Sequence, residues 1–88
     1  MIKTGDYEGA IVNYEKSIEL RPTDAVNYYR AAQAYILNKD IPNGLKYLEQ
    51  SFQKGYKNMD VIKADKNLDL IRNNAQFISL LDKYFPNL

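Results

Sequence analysis

Two segments of the chain, residues 5–18 and 39–52, repeat one pattern of side chains at a spacing of about 34 residues. The paired positions are Asp6 and Asp40, Glu15 and Glu49, Ser17 and Ser51, Ala10 and Gly44, Ile11 and Leu45, Tyr14 and Leu48, and Ile18 and Phe52. A repeat of this length is typical of small helical units that bury their apolar faces against one another. The chain is therefore expected to fold as stacked units rather than around one irregular core.

Each copy predicts an amphipathic helix, because its apolar residues recur with the 3.6-residue period of an α-helix. Asp6 and Asp40 stand at the expected N-cap positions. Pro42 falls in the first turn of the second copy, where an amide hydrogen is not needed. Pro22 ends the first helix, and Gly55 ends the second.

A further helix is predicted between the two copies, from residue 24 to about residue 37. Its apolar positions are spaced i, i+3, i+4 and i+7, and they are Tyr28, Ala31, Ala32 and Tyr35. The adjacent alanines allow a neighbouring helix to approach closely, and residues 38–40 form a short turn. We therefore expect residues 24–37 and 41–54 to lie side by side as an antiparallel pair.

The repeat does not continue beyond Tyr56. Met59–Ala64 is a candidate short helix, and a turn starting at Asp65 carries the apolar residues Leu68 and Ile71. Asn73 or Asn74 can cap a last helix, whose apolar residues are Phe77, Leu80, Leu81, Tyr84 and Phe85, and Pro86 ends it. This stretch is interpreted as a degenerate cap with a polar outer side.

These residues resemble the tetratricopeptide repeat (TPR) family, whose unit is a pair of antiparallel helices, A and then B. The helix A pattern of aromatic and small residues corresponds to Tyr28, Ala32 and Tyr35. The turn before helix B corresponds to residues 5–7 and 39–41. The small residues of helix B correspond to Ala10 and Gly44, and the closing proline to Pro22.

The resemblance implies an all-α fold, an antiparallel helix-turn-helix repeat array in the form of an α-α superhelix. Residues 1–22 would be the helix B half of a first repeat, in which Met1–Thr4 end a helix A. Residues 23–56 would be one complete repeat, and residues 57–88 a degenerate helical C-terminal cap.

Composition excludes several classes of chemistry. The 88 residues include no Cys and no His, which removes thiolate, imidazole and ordinary zinc chemistry. Twelve Lys and Arg against 11 Asp and Glu give a net charge of +1, so neither nucleic acid nor a membrane is expected as partner. The Asp65-x-Asn67-x-Asp69 segment lacks the glycine and the final carboxylate of a calcium loop. We expect no metal, no cofactor and no enzymatic activity.

The resemblance also implies a function, which is to bind a peptide or helix of another protein in a concave groove, as a scaffold or adaptor. The groove positions correspond to Val26, Tyr29, Arg30, Gln33, Ile36 and Leu37. Tyr29 and Arg30 are the preferred anchors, because aromatic and arginine side chains dominate most protein interfaces.

Two alternatives remain open from the sequence. The chain can be a structural end-piece of a larger enzyme or receptor. It can also self-associate as a homodimer, because the apolar face formed by Ala10, Ile11, Tyr14 and Ile18 lacks a preceding helix to cover it. The sequence assigns no compartment: the cytoplasm is only a default, and an export signal upstream of Met1 stays open.

Overall fold

The computed structural model describes residues 6–86, and the regular structure in this range is helical throughout. The elements are α1 (Tyr7–Leu20), α2 (Ala25–Leu37), α3 (Ile41–Gln53), α4 (Met59–Ala64), a 3₁₀ helix (Lys66–Ile71) and α5 (Ala75–Tyr84). The predicted all-α, TPR-like fold of helical hairpins is confirmed. The expectation that Met1–Thr4 end a helix A lies outside the described residues.

The α2–α3 hairpin forms at the residues predicted from the sequence. The Asp24 carboxylate accepts a hydrogen bond from the Val26 amide at 3.1 Å, which caps α2. The α2–α3 turn contains Lys39 in a left-handed conformation, with φ of 63°. Asp40 then caps α3, and the two helices share the most extensive interface of the molecule. The predicted side-by-side pair is therefore present.

Helix α3 ends at a glycine because the chain turns there through a left-handed conformation. Gly55 has a φ of 104°, which residues with a side chain rarely adopt. The Gly55 amide donates to the Phe52 carbonyl at 3.0 Å, and the Tyr56 amide donates to the Ser51 carbonyl at 2.9 Å. This is the Schellman pattern of helix termination.

The start of α1 differs in detail from its expected cap. Asp6 occupies the N-cap position, but its side chain makes no capping hydrogen bond. Only its backbone carbonyl takes part, by accepting from the Ala10 amide at 3.3 Å. Helix α1 nevertheless ends at Leu20, just before Pro22, as predicted.

The C-terminal segment folds as three short elements, each started by a polar side chain. Asn58 caps α4, Asp65 caps the 3₁₀ helix, and Asn74 rather than Asn73 caps α5. The outer side of this segment is less polar than expected, because Leu70 and Ile78 are 60% and 47% exposed.

The main core lies where α2 and α3 meet the C-terminal elements. It consists of Tyr29, Ala32, Ile36, Leu45, Leu48, Phe52, Ile62, Leu68, Ile71 and Phe77. Helix α1 packs against α2 at the other side of the hairpin. Among the helices within residues 6–86, none combines the length and the apolar character needed to cross a bilayer.

Candidate partner-binding site

Four of the six predicted groove residues meet at one small recess in the surface. The recess has a volume of about 140 Å³, and its lining consists of Val26, Tyr29, Arg30, Gln33, Tyr56 and Val61. Helix α2 supplies one wall, and α4 supplies Val61 on the other. We call this the Arg30 recess, since Arg30 is the exposed cation among its lining residues.

Tyr29 forms the floor of the Arg30 recess rather than an exposed anchor. Its side chain is only 3% exposed, and its ring stacks on Tyr56 with the ring centres 4.3 Å apart. Its hydroxyl donates a hydrogen bond to Asp65 Oδ2 at 2.7 Å. The expectation that Tyr29 points into a free groove is wrong, because the C-terminal segment packs over this face of α2.

Asp65 holds the floor of the recess in place. Its carboxylate accepts from Tyr29 and also from the Gln33 side-chain amide, while its second oxygen accepts from the Asn67 amide at 2.9 Å. Its backbone carbonyl accepts from the Arg72 guanidinium at 2.7 Å. The sequence predicted a turn that starts at Asp65 but not the contact of Asp65 with α2. The contact could have been predicted only from the rule that buried polar groups need hydrogen-bond partners, here the Tyr29 hydroxyl and the Gln33 side-chain amide.

Charge and burial around the floor hold its tyrosines in the neutral form. Burial raises the pKa of Tyr29 far above its usual value, and the hydrogen bond to the Asp65 carboxylate raises it further. Burial also raises the pKa of Tyr56, as does the Asp65 charge, whereas Arg30 acts in the opposite direction. The floor is therefore a pair of neutral rings.

Ile36 and Leu37 lie away from the Arg30 recess. Ile36 is fully buried between α2 and α3, where its Cγ1 lies 2.6 Å from the point that a Cβ on Gly44 would occupy. The expectation that Ile36 faces the groove is therefore wrong. Leu37 is half-buried and does not line the recess.

The accessible part of the recess is apolar with one positive charge. Val26 and Val61 are 43% and 40% exposed, and Arg30 is exposed beside them. Gln33 is half-buried, and its amide is already bonded to Asp65. An incoming ligand would therefore meet mainly the two valines and the Arg30 guanidinium, with the half-buried Tyr56 below them.

The predicted self-association face on α1 is partly covered within the chain. Ile11 is only 9% exposed, and Ala10, Tyr14 and Ile18 are half-buried. Helix α1 packs against α2, and Tyr35 of α2 donates a hydrogen bond to Glu15. Ile11 is therefore buried within the chain, although α2 follows α1 rather than precedes it. Self-association itself stays a prediction.

Within residues 6–86, His, Cys, Asp and Glu side chains form no group of three that could hold a metal ion. Most of the tyrosines pack against other aromatic rings. Tyr35 and Tyr47 stack at 5.2 Å, and Tyr28 lies 6.4 Å from Tyr47.

Comparison with known proteins agrees with this architecture. Residues 2–38 match the family model of the TPR repeat. The match covers α1 and α2 and confirms the resemblance to the TPR family read from the sequence. Repeats of this family typically serve as non-enzymatic scaffolds for protein–protein interaction.

One curated relative is similar over most of this chain. It is a chloroplastic protein of Arabidopsis thaliana, and it is 29% identical over 85 residues, which is 93% of this chain. The chain spans about a quarter of that protein, since the matched part is 25% of its length. No solved structure matches the chain.

Proposed function

We propose that the chain is a non-enzymatic protein-interaction module that binds a peptide or helix of a partner protein at the Arg30 recess. The observation that carries this proposal is the exposure of Val26 and Val61 on either side of a tyrosine floor, with Arg30 exposed at the rim. An exposed arginine beside tyrosine rings is typical of interface anchor points, and the two valines add apolar surface around it.

The size of the recess favours a peptide side chain over a free small molecule. Pockets for small molecules usually measure roughly 300–1,000 Å³. The Arg30 recess has about 140 Å³, which suits one aliphatic side chain of a larger ligand. The rest of the binding energy would come from contacts along α2 and α4.

The floor supports binding because it is fixed before a partner arrives. Tyr29 is held by Tyr56 on one face and by Asp65 at its hydroxyl. A preformed surface lowers the entropy lost on association. Two neutral rings also cost less to desolvate than charged groups would.

We also propose a division of the chain into three parts. Residues 23–56 would be the complete repeat, which the extensive contact between α2 and α3 supports. Residues 1–22 would be the helix B half of a preceding repeat, and residues 57–88 a C-terminal cap, which the contact of the 3₁₀ helix with α2 supports.

The recess can be tested with peptides selected from a random display library against the whole chain. Selected peptides that compete with one another are taken to share one site. If that site is the Arg30 recess, Arg30→Glu should lower their affinity about tenfold or more, because it reverses the charge at the rim. Lys16→Glu makes the same charge change at an exposed position of α1 and should leave affinity unchanged. Calorimetric titration measures both.

A second variant separates binding from folding. Val26→Asp places a charge at the exposed rim, so it should weaken binding while the urea midpoint stays close to that of the parent chain. If both Arg30→Glu and Val26→Asp bind every selected peptide as the parent chain does, the recess is not the binding site.

A further inference from the structure

A second and larger depression lies on another part of the molecule, between α3 and α5. These helices are in contact near their C-terminal ends, where the Phe52 ring lies 5.7 Å from Tyr84 and 5.1 Å from Phe85. Towards their N-terminal ends, Pro42 and Ala75 face an open space of about 510 Å³. We call this wedge the α3–α5 groove. It shares no lining residue with the Arg30 recess.

The groove has an apolar floor. Leu45 is 6% exposed and Leu80 is half-buried, and both line the space. Pro42 and Ala75 are exposed at its open end. A side chain that entered here would cover apolar surface on both helices, at a gain of roughly 25 cal/mol per Å².

The rim of the groove carries a surplus of positive charge. Lys46 and Lys83 stand on its two sides, and Glu49 lies near its closed end. The Glu49 carboxylate is already occupied, because Lys83 Nζ donates to it at 3.0 Å and the Tyr84 hydroxyl donates at 2.9 Å. These two hydrogen bonds hold the pKa of Glu49 below its usual range.

Lys46 is the unbalanced charge of this rim. Its ammonium lies 5.9 Å from the centre of the Tyr47 ring, and among the described residues it has no carboxylate within ion-pair distance. An acidic group on a ligand would therefore find a free cation beside the apolar floor. The charge pattern is complementary to an acidic ligand and unfavourable to a basic one.

The length of the groove limits what can occupy it. Its α3 wall runs from Pro42 to Glu49. That is roughly 10 Å at 1.5 Å per helical residue. An extended segment of about three residues covers the same distance. Lys46 and Leu45 are adjacent in sequence, so the ligand's carboxylate and its apolar side chain must also be close together.

We propose that the α3–α5 groove binds a short acidic segment of a partner protein, with an aliphatic side chain on Leu45 and Leu80 and a neighbouring carboxylate on Lys46. This site is separate from the Arg30 recess. The chain would therefore present two binding surfaces, one at the α2–α4 side and one at the α3–α5 side.

The test uses random short peptides displayed on phage and panned on the whole chain. The library is first depleted on the Lys46→Glu variant, which removes every peptide that does not depend on Lys46. The remaining pool should be enriched in Asp or Glu next to Leu, Ile or Val. Synthetic peptides from this pool should lose about tenfold or more in affinity with Lys46→Glu and weaken with added salt.

Controls assign the peptides to the groove. Ala75→Leu narrows the open end without changing charge and should weaken the same peptides. Arg30→Glu should leave their affinity unchanged, which separates this proposal from the one for the recess. Amide chemical shifts on titration should move at Lys46 and Leu80. Circular dichroism and urea unfolding of Lys46→Glu should match the parent, since Lys46 is exposed.

Three outcomes would overturn the proposal. The first is the absence of any Lys46-dependent pool, and the second is a pool without acidic enrichment. The third is sedimentation that shows a dimer for the parent chain and a monomer for Lys46→Glu, because the occupant would then be a second copy of this chain.

Discussion

Asp65 connects two parts of the molecule that are far apart in sequence. One carboxylate oxygen caps the 3₁₀ helix at Asn67, and the other accepts from Tyr29 and Gln33 of α2. Hydrogen bonds to a charged acceptor are stronger than those between neutral groups. A single side chain therefore fixes both the start of the 3₁₀ helix and the position of the recess floor.

Asp65→Asn should lower the free energy of unfolding by about 1.5–3 kcal/mol. The amide keeps the shape of the carboxylate but replaces one acceptor oxygen with a donor. Either the Asn67 backbone amide or the Tyr29 and Gln33 side chains then lose their acceptor, because these two side chains share one oxygen and Asn67 uses the other. Urea denaturation followed by circular dichroism measures the change. Combining it with Tyr29→Phe in a double-mutant cycle isolates the pair, and the two effects should not add.

Asp60→Asn is the matched control, because Asp60 is an exposed carboxylate on α4. It should change stability by less than about 0.5 kcal/mol. Equal losses from Asp65→Asn and Asp60→Asn would show that the Asp65 contacts contribute nothing specific.

At the scale of the elements, α2 and α3 approach closely because one residue at their crossing has no side chain. A Cβ on Gly44 would lie 2.6 Å from Ile36 Cγ1 and 3.5 Å from the Ala32 carbonyl oxygen. Ile36 is fully buried, so it cannot swing aside into solvent. The small residue expected from the repeat pattern is thus required by the packing of the hairpin.

Gly44→Ala should destabilise the chain by about 1–3 kcal/mol, because it overpacks the crossing. The substitution improves helix propensity by roughly 0.5–1 kcal/mol, which offsets only part of that cost. Thermal unfolding compared with the parent gives the difference.

Gly9→Ala in α1 provides the comparison for Gly44→Ala. The added Cβ at Gly9 would meet Asp6 Oδ1 at 2.7 Å, which is the end of an exposed and movable side chain. We expect no loss, or a gain of up to about 1 kcal/mol from helix propensity. A loss at Gly9 as large as that at Gly44 would contradict the packing explanation.

At the scale of the whole molecule, tyrosines fill the spaces between helices and are shielded from water there. Burial is the first cause that raises the pKa of Tyr29, Tyr35, Tyr47 and Tyr56 above the usual value. Carboxylates add to it, Asp65 beside Tyr29 and Tyr56, and Glu15 beside Tyr35 and Tyr47. The folded chain therefore holds these phenolic protons more tightly than the unfolded chain does.

The free energy of unfolding should fall as pH rises above about 10, where tyrosines of the unfolded chain begin to ionise. Below that pH the folded and unfolded states bind the same tyrosine protons, and this stabilisation is complete. Above it the unfolded state binds fewer protons, so unfolding becomes easier. Urea midpoints measured from neutral to alkaline pH give the slope, and Tyr29→Phe or Tyr35→Phe should make it shallower. Tyrosinate absorbance that rises fully before the chain unfolds would contradict this expectation.

Most of the helices could be predicted from local sequence signals, because each of these signals depends only on residues close by in the chain. Asp24 and Asp40 cap helices through amides two or three residues away, and Gly55 turns the chain within one residue. Such interactions are fixed by local geometry and can be read without knowing the fold. Asp6 shows the limit, since it stands at a cap position without making the bond.

Prediction from the sequence failed for side chains whose exposure depends on residues that are distant in the chain. The resemblance to the TPR family places Tyr29 and Ile36 at a free groove, yet both are buried. Helical periodicity shows which residues share a face of a helix, but it does not show how many of those faces pack against other elements. Helix α2 is covered on more than one side, by α1, by α3 and by the 3₁₀ helix.

The sequence by itself determined that this chain forms paired antiparallel helices with a different C-terminal segment, since caps, stops and periodicity act over a few residues. Only the tertiary structure decided that the C-terminal segment closes over Tyr29 through Asp65, and that the α3–α5 groove stays open. The physical reason is that burial and hydrogen bonding of a side chain are set by residues brought to it from elsewhere in the chain, as Asp65 is brought to Tyr29 across 36 positions.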